Sequence, residues 1–184
     1  MRRGLIRLLA GLALSSGALL LTPAAVAEEP CLKMVFGRYC LGGDINQILP
    51  SSPPPAARQT QGDSLALVFP DGANQLYLLA YSNRLYKVVR AHAVSTQLAF
   101  DDIYNDLRQI YGPGTDQSRF PDYASTPAAR LASIRRGEGR ALHRWEPSPA
   151  WSIELSWTRE LGVSLAYIAT ELNARRAARM DGGL

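Results

Sequence analysis

SLALVFPDGANQLYLLAYSNRLYKVVRA, residues 64–91, is the stretch that decides the fold. Three runs rich in Val, Leu and Tyr, from Ser64 to Phe69, Leu76 to Tyr81 and Leu85 to Ala91, have the composition of strands. Pro70-Asp71-Gly72 separates the first two and Ser82-Asn83-Arg84 the last two. Both segments carry turn chemistry, with a fixed proline φ, an Asx side chain or a glycine available for left-handed backbone. Connections this short join antiparallel neighbours only, because a parallel crossover needs a dozen residues or more. The stretch therefore predicts an antiparallel meander. Alternation places Tyr77 and Tyr81 on one face and Leu76 and Leu78 on the other.

Downstream, Phe100, Ile103, Leu107, Ile110 and Tyr111 recur at helical spacing, with Asp101 and Asp102 expected in the first turn and Gly112-Pro113 as the stop. Residues 113–125 read as a polar loop. Thr126 at a cap, Pro127 at the first helical position and Gly137 past the end frame a second helix, with Ala128, Leu131 and Ile134 as its apolar positions. Ala141 to Trp145 is strand-like. Trp151, Ile153, Leu155 and Trp157 alternate with Ser152, Glu154 and Ser156; after a turn at 159–162, Val163, Leu165 and Tyr167 alternate again. Residues 170–180 suit a short Arg- and Ala-rich helix. Upstream, Asp44 can cap a short helix bearing Ile45, Ile48 and Leu49, ended by Pro50, and residues 51–55 read as a surface loop.

Side by side, the two halves share a layout of helical segment followed by three antiparallel strands, a repeat of pattern rather than of residues. The expected fold class is therefore α+β: a duplicated helix-plus-three-stranded meander with the helices packed on one face of the sheet. Repeat one would run over about 41–94, repeat two over about 96–170, and a C-terminal helix over about 170–180, all in one domain spanning 28–184.

The N-terminus carries Arg2, Arg3 and Arg7, an apolar run from Leu8 to Leu21, a break at Thr22-Pro23 and small residues at Ala25 and Ala27. This predicts a secretory signal peptide over 1–27, cleaved after Ala27, and a periplasmic location. The apolar run is shorter than the roughly 20 residues of a spanning helix, so no transmembrane segment is expected once the signal is removed. Glu28-Glu29-Pro30 separate the cleavage point from Cys31, so no lipid-bearing cysteine follows it. The first 27 residues hold three of the 20 basic residues and none of the 16 acidic ones, leaving 17 against 16, a net charge of +1. So balanced a chain does not read as a nucleic-acid binder. In an oxidising compartment the two cysteines, Cys31 and Cys40, are expected to bridge. Closing a loop this short stabilises by roughly 2.7 kcal/mol in the chain-entropy view. A redox pair usually has two intervening residues on a helix start, which this spacing does not provide.

The stretch Leu41-Gly42-Gly43-Asp44-Ile45-Asn46-Gln47-Ile48-Leu49, the helix end Tyr111-Gly112-Pro113 and the repeated layout resemble the superfamily of small envelope proteins that contains the β-lactamase inhibitor protein and the SmpA/OmlA outer-membrane-assembly lipoproteins. Gly43 stands where those proteins usually carry Met. The resemblance implies helices on one face of an antiparallel sheet, and a binding or assembly role rather than catalysis.

No chemistry-bearing motif competes with that reading. His92 and His143 are the only histidines, which excludes a multi-His metal site; both read as partly exposed sheet residues. No Gly-x-Ser-x-Gly elbow and no phosphate loop is present. No cofactor is expected, nor enzymatic activity. A hydrolase with an unrecognised site is the weakest reading. Two sets of residues remain as binding candidates. Tyr77, Tyr81 and Trp145 are aromatic groups suited to a protein contact through a sheet face. Arg135, Arg136 and Arg140, with Arg130, His143 and Arg144 nearby, form a basic stretch suited to phosphate or carboxylate. The expected partner is another cell-envelope protein; the alternative is an anionic lipid head group or other anionic ligand.

Overall fold

The computed structural model describes residues 31–181, so the expected signal peptide over 1–27 lies outside the described residues. The chain begins with a hairpin of β1 (Lys33–Val35) and β2 (Tyr39–Leu41). Helix α1 (Ile45–Ile48) follows, capped by Asp44, which accepts from the Asn46 N–H at 2.8 Å. Pro50 sits inside a 3-10 turn over Leu49–Ser51 rather than ending the helix outright. Strands β3 (Ala57–Gln61), β4 (Ser64–Asp71), β5 (Asn74–Tyr81) and β6 (Arg84–Ala91) then run in sequence. The β5–β6 turn places both Ser82 and Asn83 at positive φ, +47° and +62°. Two such residues in a two-residue hairpin match the right-handed strand twist.

Helix α2 covers Gln97–Tyr111. It opens three residues earlier than the apolar spacing suggests, because Thr96 accepts from the Ala99 N–H at 3.2 Å and caps it there. Asp101 and Asp102 therefore lie beyond the first turn. A two-residue strand β7 (Thr115–Asp116) interrupts the expected loop, and α3 (Pro127–Arg136) has the expected Thr126 cap and left-handed Gly137. Strands β8 (Ala141–Ser148), β9 (Trp151–Thr158) and β10 (Gly162–Ala169) and helix α4 (Thr170–Asp181) complete the chain.

The expected fold class is overturned. The protein is mostly β: an eight-stranded antiparallel sheet in the order β3-β4-β5-β6-β10-β9-β8-β7, plus the separate β1–β2 sheet, with four α-helices. It is not a pair of three-stranded meanders with helices on one face. The last strands of the two expected copies, β6 and β10, pair with each other from Ser164↔Ala91 to Ile168↔Lys87. That pairing merges both runs into one continuous ladder, and β3 and β7 lengthen it at its ends. Nor is the covering layer purely helical. The β1–β2 hairpin shares it with α1, α2 and α3, while α4 lies against β6, β9 and β10.

One cross-strand row shows how the sheet is held. Leu67, Leu78, Val88, Tyr167, Ile153 and Trp145 stand directly opposite one another across six strands. Leu67, Leu78, Val88 and Ile153 are fully buried. On either side of the β6–β10 seam this face builds an apolar cluster. One gathers Val35, Leu41, Ile45, Leu67, Phe69 and Leu78; the other gathers Phe100, Leu107, Ile134, Leu155, Trp157 and Val163. Trp151 and Tyr167 pack against both.

The Cys31–Cys40 disulfide is formed, with Cα atoms 5.4 Å apart. It ties down the hairpin whose tip residue, Phe36, lies edge-on to Tyr167 of β10 at 5.6 Å and under the Arg90 guanidinium of β6 at 3.8 Å. The stapled hairpin thus straddles the seam. Among the described residues no helix is long and apolar enough to cross a membrane. Truncating the central row should be costly: Ile153→Ala is expected to lose about 2–5 kcal/mol. Arg58→Ala on the exposed β3 should stay within about 0.5 kcal/mol. Urea denaturation followed by tryptophan fluorescence checks both.

Candidate functional site

The second face of the sheet carries Tyr77 and Tyr81, as alternation requires. Its central row is Val68, Tyr77, Val89, Ala166, Glu154 and Arg144, each directly opposite the next. Val89, Ala166 and Ile168 form a small buried cluster with Tyr77 and Leu161 against it, and among the described residues no helix residue joins them. Tyr77 and Tyr81 are both half-buried, and the Tyr77 hydroxyl donates to Gln75 Oε1 at 2.6 Å. Toward β8 the row turns charged. Glu154 takes Lys87 at 3.4 Å and Arg144 at 3.0 Å, and Arg144 also reaches Glu146 at 2.9 Å. These charges neutralise one another.

Trp145 does not belong to any surface site. It is 4% exposed, and its indole N–H donates to the Gly112 carbonyl at 2.9 Å. A Cβ on Gly114 would lie 2.6 Å from its ring, so backbone packs flat against it. A buried indole with its N–H satisfied is a core residue.

The basic residues come from the end of α3 and the strand that follows. Arg135 and Arg136 occupy the last helical turn, where cations favour the negative end of the helix dipole. Arg136 is already engaged: its Nε donates to Glu138 at 2.8 Å and its NH2 to the Tyr123 hydroxyl at 2.9 Å. Tyr123 also bonds Glu138, and these two hydrogen bonds hold the Glu138 carboxyl below its usual range. Gly139 is pressed against the Ser133 hydroxyl and Phe120, leaving no room for a side chain as the chain passes into β8. Arg140 then meets Arg119. The Arg140 N–H donates to the Arg119 carbonyl at 2.8 Å, and the Arg119 N–H returns a bond of 2.9 Å. A doubly bonded antiparallel pair puts its side chains on the same side, with Cα atoms about 5.5 Å apart. By alternation that is also the side of Leu142 and Arg144.

Arg135, Arg136 and Arg140 are therefore not one cluster. Arg136 is spoken for, Arg135 projects from the helix end, and Arg140 is paired with an arginine the sequence reading passed over. No short-range spacing signals Arg119, which reaches Arg140 only through the chain reversal around α3. Among the described residues no acidic side chain bonds Arg119, Arg135 or Arg140. Like charges directly opposite in a sheet are destabilising, and the exposed Arg119 and Arg140 side chains share one side of their doubly bonded pair.

Neither histidine sits in a catalytic relay. His143 lies in an aromatic layer, 4.6 Å from the Tyr104 ring, 5.9 Å from Phe100 and 6.2 Å from Trp145. Its Nδ1 and the Nε2 of His92 are buried and have no hydrogen-bond partner among the described residues. Burial pushes the His92 imidazole below its ordinary pKa, the nearby Arg90 pushes it further, and Asp71 opposes both. Among the described residues no three His, Cys, Asp or Glu side chains gather as metal ligands would.

No protein-family model matches the sequence, and no curated protein matches it. An extracellular protein containing a SCP domain from Bacillus anthracis, solved at 1.5 Å, superposes with a TM-score of 0.42 at 10% identity. The alignment covers 83% of this chain and 51% of that one, so this chain spans about half its length. Nothing about this protein follows from so slight a likeness.

The orphaned His92 gives stability a pH dependence of known sign. Its native pKa lies below the ordinary 6.5, so the unfolded chain binds the proton first. The stability tied to a neutral His92 is complete above about pH 6.5 and drains away as pH falls toward and past the depressed native value. Denaturation midpoints measured at pH 7.5, 6.5 and 5.5 should fall in that order. His92→Gln should flatten this part of the profile.

Proposed function

We propose that this chain is an exported binding module that takes an anionic group between Arg119 and Arg140. The observation that carries the reading is their direct opposition across a doubly bonded pair, with no acidic side chain bonded to either among the described residues. An anion bridging two guanidiniums would turn that repulsion into charge-assisted, geometrically fixed hydrogen bonds. The disulfide fits residence in an oxidising compartment, and the leader expected over 1–27 would deliver the chain to the periplasm. There, phosphate-bearing lipid head groups are the most abundant anionic surface. Arg135 would add a further contact at the end of α3.

A second reading, contact with another envelope protein across the second sheet face, is favoured by the Tyr77–Val89–Ala166 row, whose apolar cluster includes no helix residue among the described residues. Capture of a defined partner that Tyr77→Glu abolishes and the Arg119→Ser/Arg140→Ser variant leaves intact would support this reading over the first.

Vesicle co-sedimentation tests the first reading. Wild type should bind vesicles rich in anionic lipid and ignore neutral ones, with affinity falling as salt rises. Arg119→Ser with Arg140→Ser should weaken binding roughly tenfold or more, while slightly raising the melting temperature because the like-charge pair is gone. Equal binding by variant and wild type, or none by wild type at low salt, would sink it.

A further inference from the structure

We infer that two copies of this chain join edge to edge through β3, around a twofold axis at Gln59. The eight-stranded sheet has two ends. Among the described residues, one is the two-residue β7 and the other is β3, paired with β4 alone. All five β3 side chains are exposed, so the strand adds almost nothing to the core. Of the features by which exposed edges repel a neighbour it carries one charge, Arg58. Its sequence, Ala57-Arg58-Gln59-Thr60-Gln61, contains no proline and no lysine, and its pairing with β4 runs without a bulge from Ala57↔Val68 to Gln61↔Ser64.

The direction of its free backbone groups follows from the turn. Only Gly62 and Asp63 separate Gln61 from Ser64, and a two-residue turn closes on a hydrogen-bonded pair. Alternation then points the N–H and C=O of Ala57, Gln59 and Gln61 at β4, and those of Arg58 and Thr60 outward. A second β3 laid antiparallel about Gln59 brings Arg58 opposite the other copy's Thr60 and Thr60 opposite its Arg58. All the outward donors and acceptors of these two residues are then satisfied. A dyad at Arg58 would set arginine against arginine, which is destabilising. A dyad at Thr60 would require Arg58 to pair with Gly62, which lies in the turn at φ +55°. Gln59 is thus the dyad position that uses the whole open edge with no charge conflict. The strand's single charge faces a hydroxyl, and the near balance of 17 basic against 16 acidic residues over 28–184 leaves little general repulsion between copies.

The test combines sedimentation with site-specific crosslinking of the purified protein. Wild type should pass reversibly from monomer to dimer as concentration rises. In a non-hydrogen-bonded antiparallel pair the Cα atoms are about 4.5 Å apart, within disulfide reach. Gln59→Cys should therefore form a covalent dimer under mild oxidation. Gln61→Cys should not, since its two copies would lie about 14 Å apart. Thr60→Pro deletes an outward N–H without touching the β4 ladder, and should raise the dissociation constant at least about tenfold. Should that variant fail to fold, the cysteine pair decides alone. A monomer at every concentration, equal crosslinking at 59 and 61, or a dimer indifferent to Thr60→Pro would each overturn the inference.

Discussion

Five successive pairs, from Ser164↔Ala91 to Ile168↔Lys87, join β6 to β10, and the rest of the structure hangs on them. Each half of the sheet could form its own hairpins, but isolated hairpins are marginal in water. The β6–β10 pairing gives each half a neighbour and lines up Val88 with Tyr167. The apolar row thereby continues from Leu67 on one side of the seam to Trp145 on the other. The two core clusters, each made with different covering elements, become one interior because Trp151 and Tyr167 belong to both.

The β1–β2 hairpin reinforces the same junction from above. Phe36 meets Arg90 of β6 and Tyr167 of β10, one residue from each side of the seam, and Lys33 lies over Trp151 at 5.3 Å. A hairpin of two three-residue strands has little core of its own. The Cys31–Cys40 bridge restricts its unfolded alternatives, which is how a short covalent loop contributes most.

The polar groups divide into those the fold has satisfied and those it has not. On the second face Lys87, Glu154, Arg144 and Glu146 form a closed chain of charges, which spends their binding capacity internally. Arg136 is held by Glu138 and Tyr123 in the same way. Arg119 and Arg140 differ in that they face each other directly across a doubly bonded pair. An opposed pair of like sign marks a position from which an external anion would gain.

Local structure was legible in the sequence because it depends on neighbours along the chain. The alternation of Trp151 to Trp157 follows from a period of two, the Ser82-Asn83 turn from backbone chirality, and the Thr126 and Gly137 caps from unsatisfied backbone groups at helix ends. The choice of strand partner was not legible. Val88 and Tyr167 carry no mark that they will meet, so the expectation of two separate meanders gave way to a single eight-stranded sheet. Strand β3 escaped notice because all its side chains are exposed and no hydrophobic alternation betrays it. Trp145 read as a binding aromatic until Gly112 and Gly114 closed over it. Arg119 acquired meaning only beside Arg140. Periodicity records which face of an element is buried; it does not record which distant element buries it. That is settled only when the whole chain competes for one interior.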